Sequence, residues 1–259
     1  MFFCTSYLPA LAVHRKAVAH LTYTTWRLSS CMIKYPSIQN SYIRSMMVAL
    51  IVIPVAMLLI VYVLKLLGTE GILHLDRTLH DLLFPGRSET SSPVLQALLP
   101  LMLLMSTAGS FPGTLLLTIA VCILCWILRK PRTYILAVGS SFASMWGLNT
   151  LLKYILQRER PPLDYLIQVT GYSFPSGHAM IATGFYGMLF GLWAIERRIR
   201  RKSMLLPVIL GILYSLITAI SRIYLGVHYA SDVIAGMLAG GMWLCLMLPP
   251  LYRRAARLA

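Results

Sequence analysis

Six stretches of this chain are apolar for roughly the 20 residues that an α-helix needs to cross a bilayer core, and that repetition restricts the fold more than any other feature. They run approximately over 45–67, 113–128, 133–155, 179–195, 204–220 and 227–251. With 58% hydrophobic and 12% charged residues, the chain has too little polar surface to cover a water-soluble globule of 259 residues. The expected fold is therefore all-α: a polytopic membrane protein with six transmembrane helices and short interfacial helices on the extracytoplasmic side. A seventh apolar run, 94–108, is short and is bounded by Pro93 and by Gly109-Ser110-Phe111-Pro112. It reads as an interfacial or re-entrant helix. Segment 72–84 has apolar residues at helical spacing with Asp76, Arg77, His80 and Asp81 between them, as suits a helix lying on the membrane surface.

Charge gives an orientation. The formal net charge of +15 arises from basic clusters between apolar runs, so a membrane protein's cytoplasmic loops explain it better than nucleic acid does. With the N-terminus inside, the clusters Arg129/Lys130/Arg132, Arg197/Arg198/Arg200/Arg201/Lys202 and Arg253/Arg254/Arg257 fall in the cytoplasm. Together with Arg15, Lys16, Arg27, Lys34 and Arg44 they make 16 of the 23 basic residues. All acidic residues except Glu196 then lie on or near the outer side. Residues 1–44 lack a signal-peptide pattern and are expected to be a cytoplasmic tail, disordered by default, ahead of a membrane-embedded domain over 45–259. The five cysteines do not suggest a disulfide framework. Cys122 and Cys125, despite their CxxC spacing, lie inside an apolar helix with no second ligand pair.

Ionisable residues beside membrane spans are costly and are therefore functional candidates. They gather in three places: Lys153 to Arg160-Pro161, Pro175-Ser176-Gly177-His178, and Ser221-Arg222 to His228 and Asp232. All three fall on one membrane face in the topology derived from charge. Lys153, Arg160 and Arg222 suit a dianionic ligand with several oxygens. Ser176 adds a hydroxyl, and Gly177 permits close backbone approach at a helix start. Such a nest stabilises charge on phosphoryl oxygens. Two histidines supply a nucleophile and a proton donor. His228 and Asp232 are four residues apart and would share a helix face, which favours His228 as nucleophile and His178 as general acid. Arg158 and Glu159 read as a solvated loop pair, and His14, His20, His74 and His80 have no comparable setting.

In these residues the chain resembles the type 2 phosphatidic acid phosphatase superfamily. The family pattern is Lys, six residues, Arg-Pro; Pro-Ser-Gly-His; and Ser-Arg, five residues, His, three residues, Asp. It is matched at Lys153, Arg160, Pro161, Pro175, Ser176, Gly177, His178, Ser221, Arg222, His228 and Asp232. The resemblance implies phosphate binding by Lys153, Arg160, Ser176, Gly177 and Arg222, with Pro161, Pro175 and Ser221 supporting. It implies His178 as acid, His228 as nucleophile and Asp232 as its partner. It also implies no metal and no cofactor, in line with the lack of a carboxylate cluster. The expected function is hydrolysis of a membrane lipid phosphate or pyrophosphate through a phosphohistidine at the outer face of the cell membrane, with both termini cytoplasmic. Candidate substrates are phosphatidylglycerol phosphate, phosphatidic acid, diacylglycerol pyrophosphate and undecaprenyl pyrophosphate. A lipid phosphotransferase using the same intermediate and a non-catalytic scaffold are the rival readings, and substrate choice and oligomeric state stay open.

Overall fold

The computed structural model describes residues 38–67, 70–83, 93–161 and 166–258. The expected tail falls largely on residues 1–37, outside the described residues. All regular structure among the described residues is helical. In chain order the helices are α1 (Ile38–Leu67), α2 (Glu70–Leu83), α3 (Pro93–Ala108), α4 (Phe111–Ile127), α5 (Arg132–Leu156), α6 (Gly177–Ile199), α7 (Leu205–Tyr224) and α8 (Ala230–Leu258). From Tyr42 onward they form one compact unit.

Five helices, α1, α5, α6, α7 and α8, are each long and apolar enough to cross a membrane. The sixth candidate is a pair. Helices α3 and α4 meet at 62° across a two-residue break and pass the same test only together, so they are either one broken span or a re-entrant loop. The bend has a local cause. Ser110 caps α4, accepting the Gly113 N–H at 3.3 Å, and Pro112 at the start of α4 cannot continue α3. Helix α1 is already helical before Ser45, and Tyr42 in that stretch docks on α5, its hydroxyl 2.9 Å from Ser140 Oγ.

The expected surface helix over 72–84 is α2, and its buried face is Ile72, Asp76, Leu79 and Leu83. Its two leucines pack on Ala179, Ala219, Ile223, Ala230 and Val233, at the roots of α6, α7 and α8. At the opposite end of the bundle Lys130 pairs with Glu196 at 2.6 Å, joining the α4–α5 turn to α6. The basic loops and the motif residues thus occupy opposite ends.

Helix α6 carries a π-helical turn at Ala182–Tyr186 and lies close against α8. A Cβ on Gly240 would sit 2.7 Å from Gly184 N and 2.8 Å from Met180 O, and one on Gly236 would collide with Ser176 O. These glycines serve packing within the chain, bringing the start of α6 against the first turns of α8. Gly241 has open space around it.

Candidate active site

The three motif segments come together at one end of the bundle. Lys153 occupies the last turn of α5, where its ammonium donates to the Tyr172 carbonyl at 2.7 Å. Gln157 then adopts a left-handed conformation (φ 46°), ending α5 and turning the chain sharply. Arg160 beyond it braces the returning loop. Its guanidinium donates to the carbonyls of Gly171 at 2.9 Å, Val227 at 2.8 Å and Thr170 at 3.2 Å. Pro161 is buried beside it. The loop returns through Ser173, whose N–H and hydroxyl bond to Arg158 and Glu159 carbonyls, into a cis Phe174–Pro175 bond and the start of α6.

Ser176 is the N-cap of α6, and its N–H donates to the Asp232 carbonyl at 2.9 Å. Its hydroxyl is fully buried and has no partner. Gly177 is glycine for a reason besides anion access: a Cβ there would lie 2.7 Å from Asn149 Oδ1. Asn149, on α5, donates in turn to the Pro175 carbonyl at 3.2 Å. His178 Nε2 lies 3.0 Å from the Ser106 carbonyl. A carbonyl only accepts, so this nitrogen carries a proton.

Ser221 is buried and caps back to the Thr218 carbonyl at 2.7 Å, a structural bond inside α7. Arg222, in the last turn of α7, is 1% exposed. It donates to Ser106 Oγ at 2.7 Å, while its Nε is buried without a partner. Gly226, at φ 76°, closes α7 with a left-handed turn that residues bearing a Cβ rarely adopt, and the chain then presents His228. Helix α8 begins only at Ala230, so His228 and Asp232 do not share a helix as their spacing suggests. His228 sits in the turn before it, with Nδ1 3.5 Å from Asp232 Oδ2. That same oxygen accepts the Tyr229 N–H at 3.0 Å, so Asp232 reaches back from the first turn of α8 as the acidic member of a capping box does. Burial first, then the positive charges of Arg222, Arg160 and Lys153, hold the His228 imidazole well below the usual histidine range.

Three residues at the site have no role in the sequence reading, and one has a wrong one. Arg158 is not a solvated partner of Glu159. Glu159 is exposed, whereas Arg158 turns inward to Asp232 Oδ1 at 2.7 Å and to Asp76 Oδ2 at 2.8 Å. Burial alone would lower the Arg158 pKa, but the carboxylates of Asp232 and Asp76 outweigh it and raise the value. The left-handed Gln157 causes this reversal. Asp76 is almost completely buried. A signal for it existed, since it shares a helix face with Ile72, Leu79 and Leu83, and a carboxylate in the middle of an apolar face asks for a buried partner. Asn149 and Ser106 left no such mark. Ser106 acts partly through its backbone, and both depend on the approach of distant helices. The side chains of His80 and Asp81 lie outside the described residues.

Comparisons with known proteins find similarity over the same part of the chain. Residues 132–255 match the PAP2 superfamily model. Phosphatidylglycerophosphatase B of Bacillus subtilis is 33% identical over 93 residues, 36% of this chain and 46% of that protein. An undecaprenyl-diphosphatase of Sulfolobus acidocaldarius is 32% identical over 132 residues, 47% of this chain and 56% of that protein. The chain thus spans about half the length of these relatives. The crystal structure of a transmembrane PAP2 type phosphatidylglycerolphosphate phosphatase from Bacillus subtilis has the same fold. It superposes with a TM-score of 0.59 over 74% of this chain and 93% of that one, at 24% identity. The segment 132–255, which holds every motif residue described above, belongs to the PAP2 superfamily.

Proposed function

We propose that this protein is a membrane lipid phosphate phosphatase working through a phosphohistidine on His228, with its site at the extracytoplasmic face. The observation that carries the reading is a pair of buried polar atoms left unpartnered at the site. Ser176 Oγ and Arg222 Nε come from two of the three motif segments, and leaving such atoms unsatisfied is costly unless a ligand completes them. The cations around His228 make an anion the fitting ligand, and the His228 ring is held neutral, as a nucleophile must be.

In the first step Nε2 of His228 attacks phosphorus and an N–P bond forms as the P–O bond to the lipid breaks. Once the negative charge of the bound phosphate offsets the neighbouring cations, His178 carries both ring protons; its Nε2–H, which donates to the Ser106 carbonyl in this structure, is redirected to protonate the departing oxygen and leaves the ring neutral. Asp232 Oδ2, 3.5 Å from Nδ1, faces the ring and offsets the positive charge that develops on it. Arg222, Ser176 and Lys153 bind the equatorial oxygens, while Arg160 braces the loop that carries them. In the second step water gives a proton to His178 and attacks phosphorus, the N–P bond breaks, and inorganic phosphate leaves. The opposite placement of the basic loops and the site supports an outward-facing site with both termini inside, because cytoplasmic loops collect Lys and Arg. The names of the relatives suggest phosphatidylglycerol phosphate or a polyprenyl pyrophosphate as substrate.

The test is phosphate release by the purified full chain in detergent with EDTA, from phosphatidylglycerol phosphate, phosphatidic acid and undecaprenyl pyrophosphate. His228→Ala is expected to lower kcat by roughly 10³-fold or more, as loss of a covalent nucleophile does. Full activity in that variant, or abolition of wild-type release by EDTA, would overturn the mechanism.

A further inference from the structure

The Arg158 guanidinium is shared between two buried carboxylates on different helices. One terminal nitrogen donates to Asp232 Oδ1 and to Ser231 Oγ, each at 2.7 Å, and the other donates to Asp76 Oδ2 at 2.8 Å. The Tyr229 ring lies 4.3 Å from the guanidinium carbon and holds the fork flat. Asp76 is tied down independently, accepting the Ser231 N–H at 2.8 Å and the Ser231 hydroxyl at 2.7 Å. A residue of α2 thus caps the first turn of α8 from outside, one residue before Asp232.

The geometry of the fork gives this arrangement a consequence. A guanidinium facing one carboxylate binds both of its oxygens through two parallel N–H donors. Here it binds only one, because its second nitrogen is taken by Asp76. Asp232 Oδ2 is thereby left to the Tyr229 N–H and to His228 Nδ1. Were Arg158 to close on both oxygens, its charge would compete with the imidazole for the oxygen that orients the ring.

We propose that Asp76 is a positioning residue for the reaction: by dividing the Arg158 fork, it reserves one oxygen of Asp232 for His228. This rests on the reading of His228 as the nucleophile. Asp76 lies on the amphipathic helix α2, where exposed Leu73, Leu75 and Leu82 flank the inward face, so a segment suited to a lipid surface would also set the orientation of the nucleophile.

The experiment follows the rate of acid-labile phosphoenzyme formation in the full chain, using phosphatidic acid labelled in its phosphate. Asp76→Asn keeps an oxygen for the Ser231 N–H but loses the charge that holds the second nitrogen. It should slow adduct formation about tenfold, the scale of coupling within one polar network, with KM little changed. Arg158→Lys alone should stay within about threefold of wild type, since one ammonium cannot bind both oxygens as a fork does. The double variant should be faster than Asp76→Asn alone, because the competing fork is gone. A purely structural Asp76 predicts the reverse, a double variant slower than either single one, and that result overturns the proposal. So does a wild-type rate in Asp76→Asn, or a tenfold loss in Arg158→Lys, which remains readable even if Asp76→Asn does not fold. Absence of any adduct on His228 in the wild type would instead remove the underlying reading, and the positioning role with it.

Discussion

The helices that carry the motifs and those that precede them are built differently. In α6 over half of the most apolar window is buried (56%), and its contact with α8 runs through glycines with no room for a side chain. In α1 only 22% of that window is buried, and Ile51, Val55, Leu59 and Leu66 face outward. Among the described residues the earlier helices reach the site through Asp76 of α2, Ser106 near the end of α3 and Gly109 at the α3–α4 elbow. Close packing fixes atoms that must act together, and looser attachment suits elements that meet lipid. The motif residues thus sit in the more closely packed half, and the first half meets them at Arg158, His178 and Arg222.

The contrast is broken most strongly at the α6–α8 contact. Gly240→Leu forces a side chain against the backbone of Gly184 and Met180, and overpacking of this kind costs about 1–3 kcal/mol or more. A large fall in melting temperature in detergent and loss of activity are expected. Gly241→Leu, one residue on and in open space, should change neither. Equal damage from both would mean that α8 packs alike on all sides.

A smaller effect is expected at the elbow between the halves. A Cβ at Gly109 would lie 2.6 Å from His178 Cδ2, so Gly109→Ala must shift either the elbow or the imidazole. Misplacing a catalytic group by about an ångström costs up to roughly 100-fold. Steady-state kinetics should show a fall in kcat of about ten- to a hundredfold with unchanged thermal stability. If kcat is unaffected, the elbow does not position His178.

The mildest test is titration. Nitrogen NMR of labelled histidine should find the ligand-free His228 ring still neutral as pH falls through about 6.5, since burial and the neighbouring cations disfavour its charged form. Arg160→Gln removes one of those charges, so the protonation midpoint should rise toward the usual value. Inorganic phosphate, by compensating the cations, should raise it as well. A midpoint that ignores both would place the anion site elsewhere.

Much of this was readable in the chain. Apolar run lengths announced the spans, because a bilayer leaves a helix few alternatives, and the spacing of Lys153, Arg160, His178, Arg222, His228 and Asp232 singled out residues that the fold gathers at one end of the bundle. Asp76 was half-visible, a carboxylate on an apolar helix face without its partner. The inward turn of Arg158 was not legible, because the left-handed Gln157 and the distant Asp76 together decide it. Nor was the Ser106 carbonyl on His178, since every residue has a carbonyl and only packing selects one. Local composition determined which segments are helical and which residue types can carry the reaction. Which oxygen of Asp232 faces His228, and what holds it there, was decided by helices far apart in sequence, because hydrogen-bond direction depends on where whole elements pack.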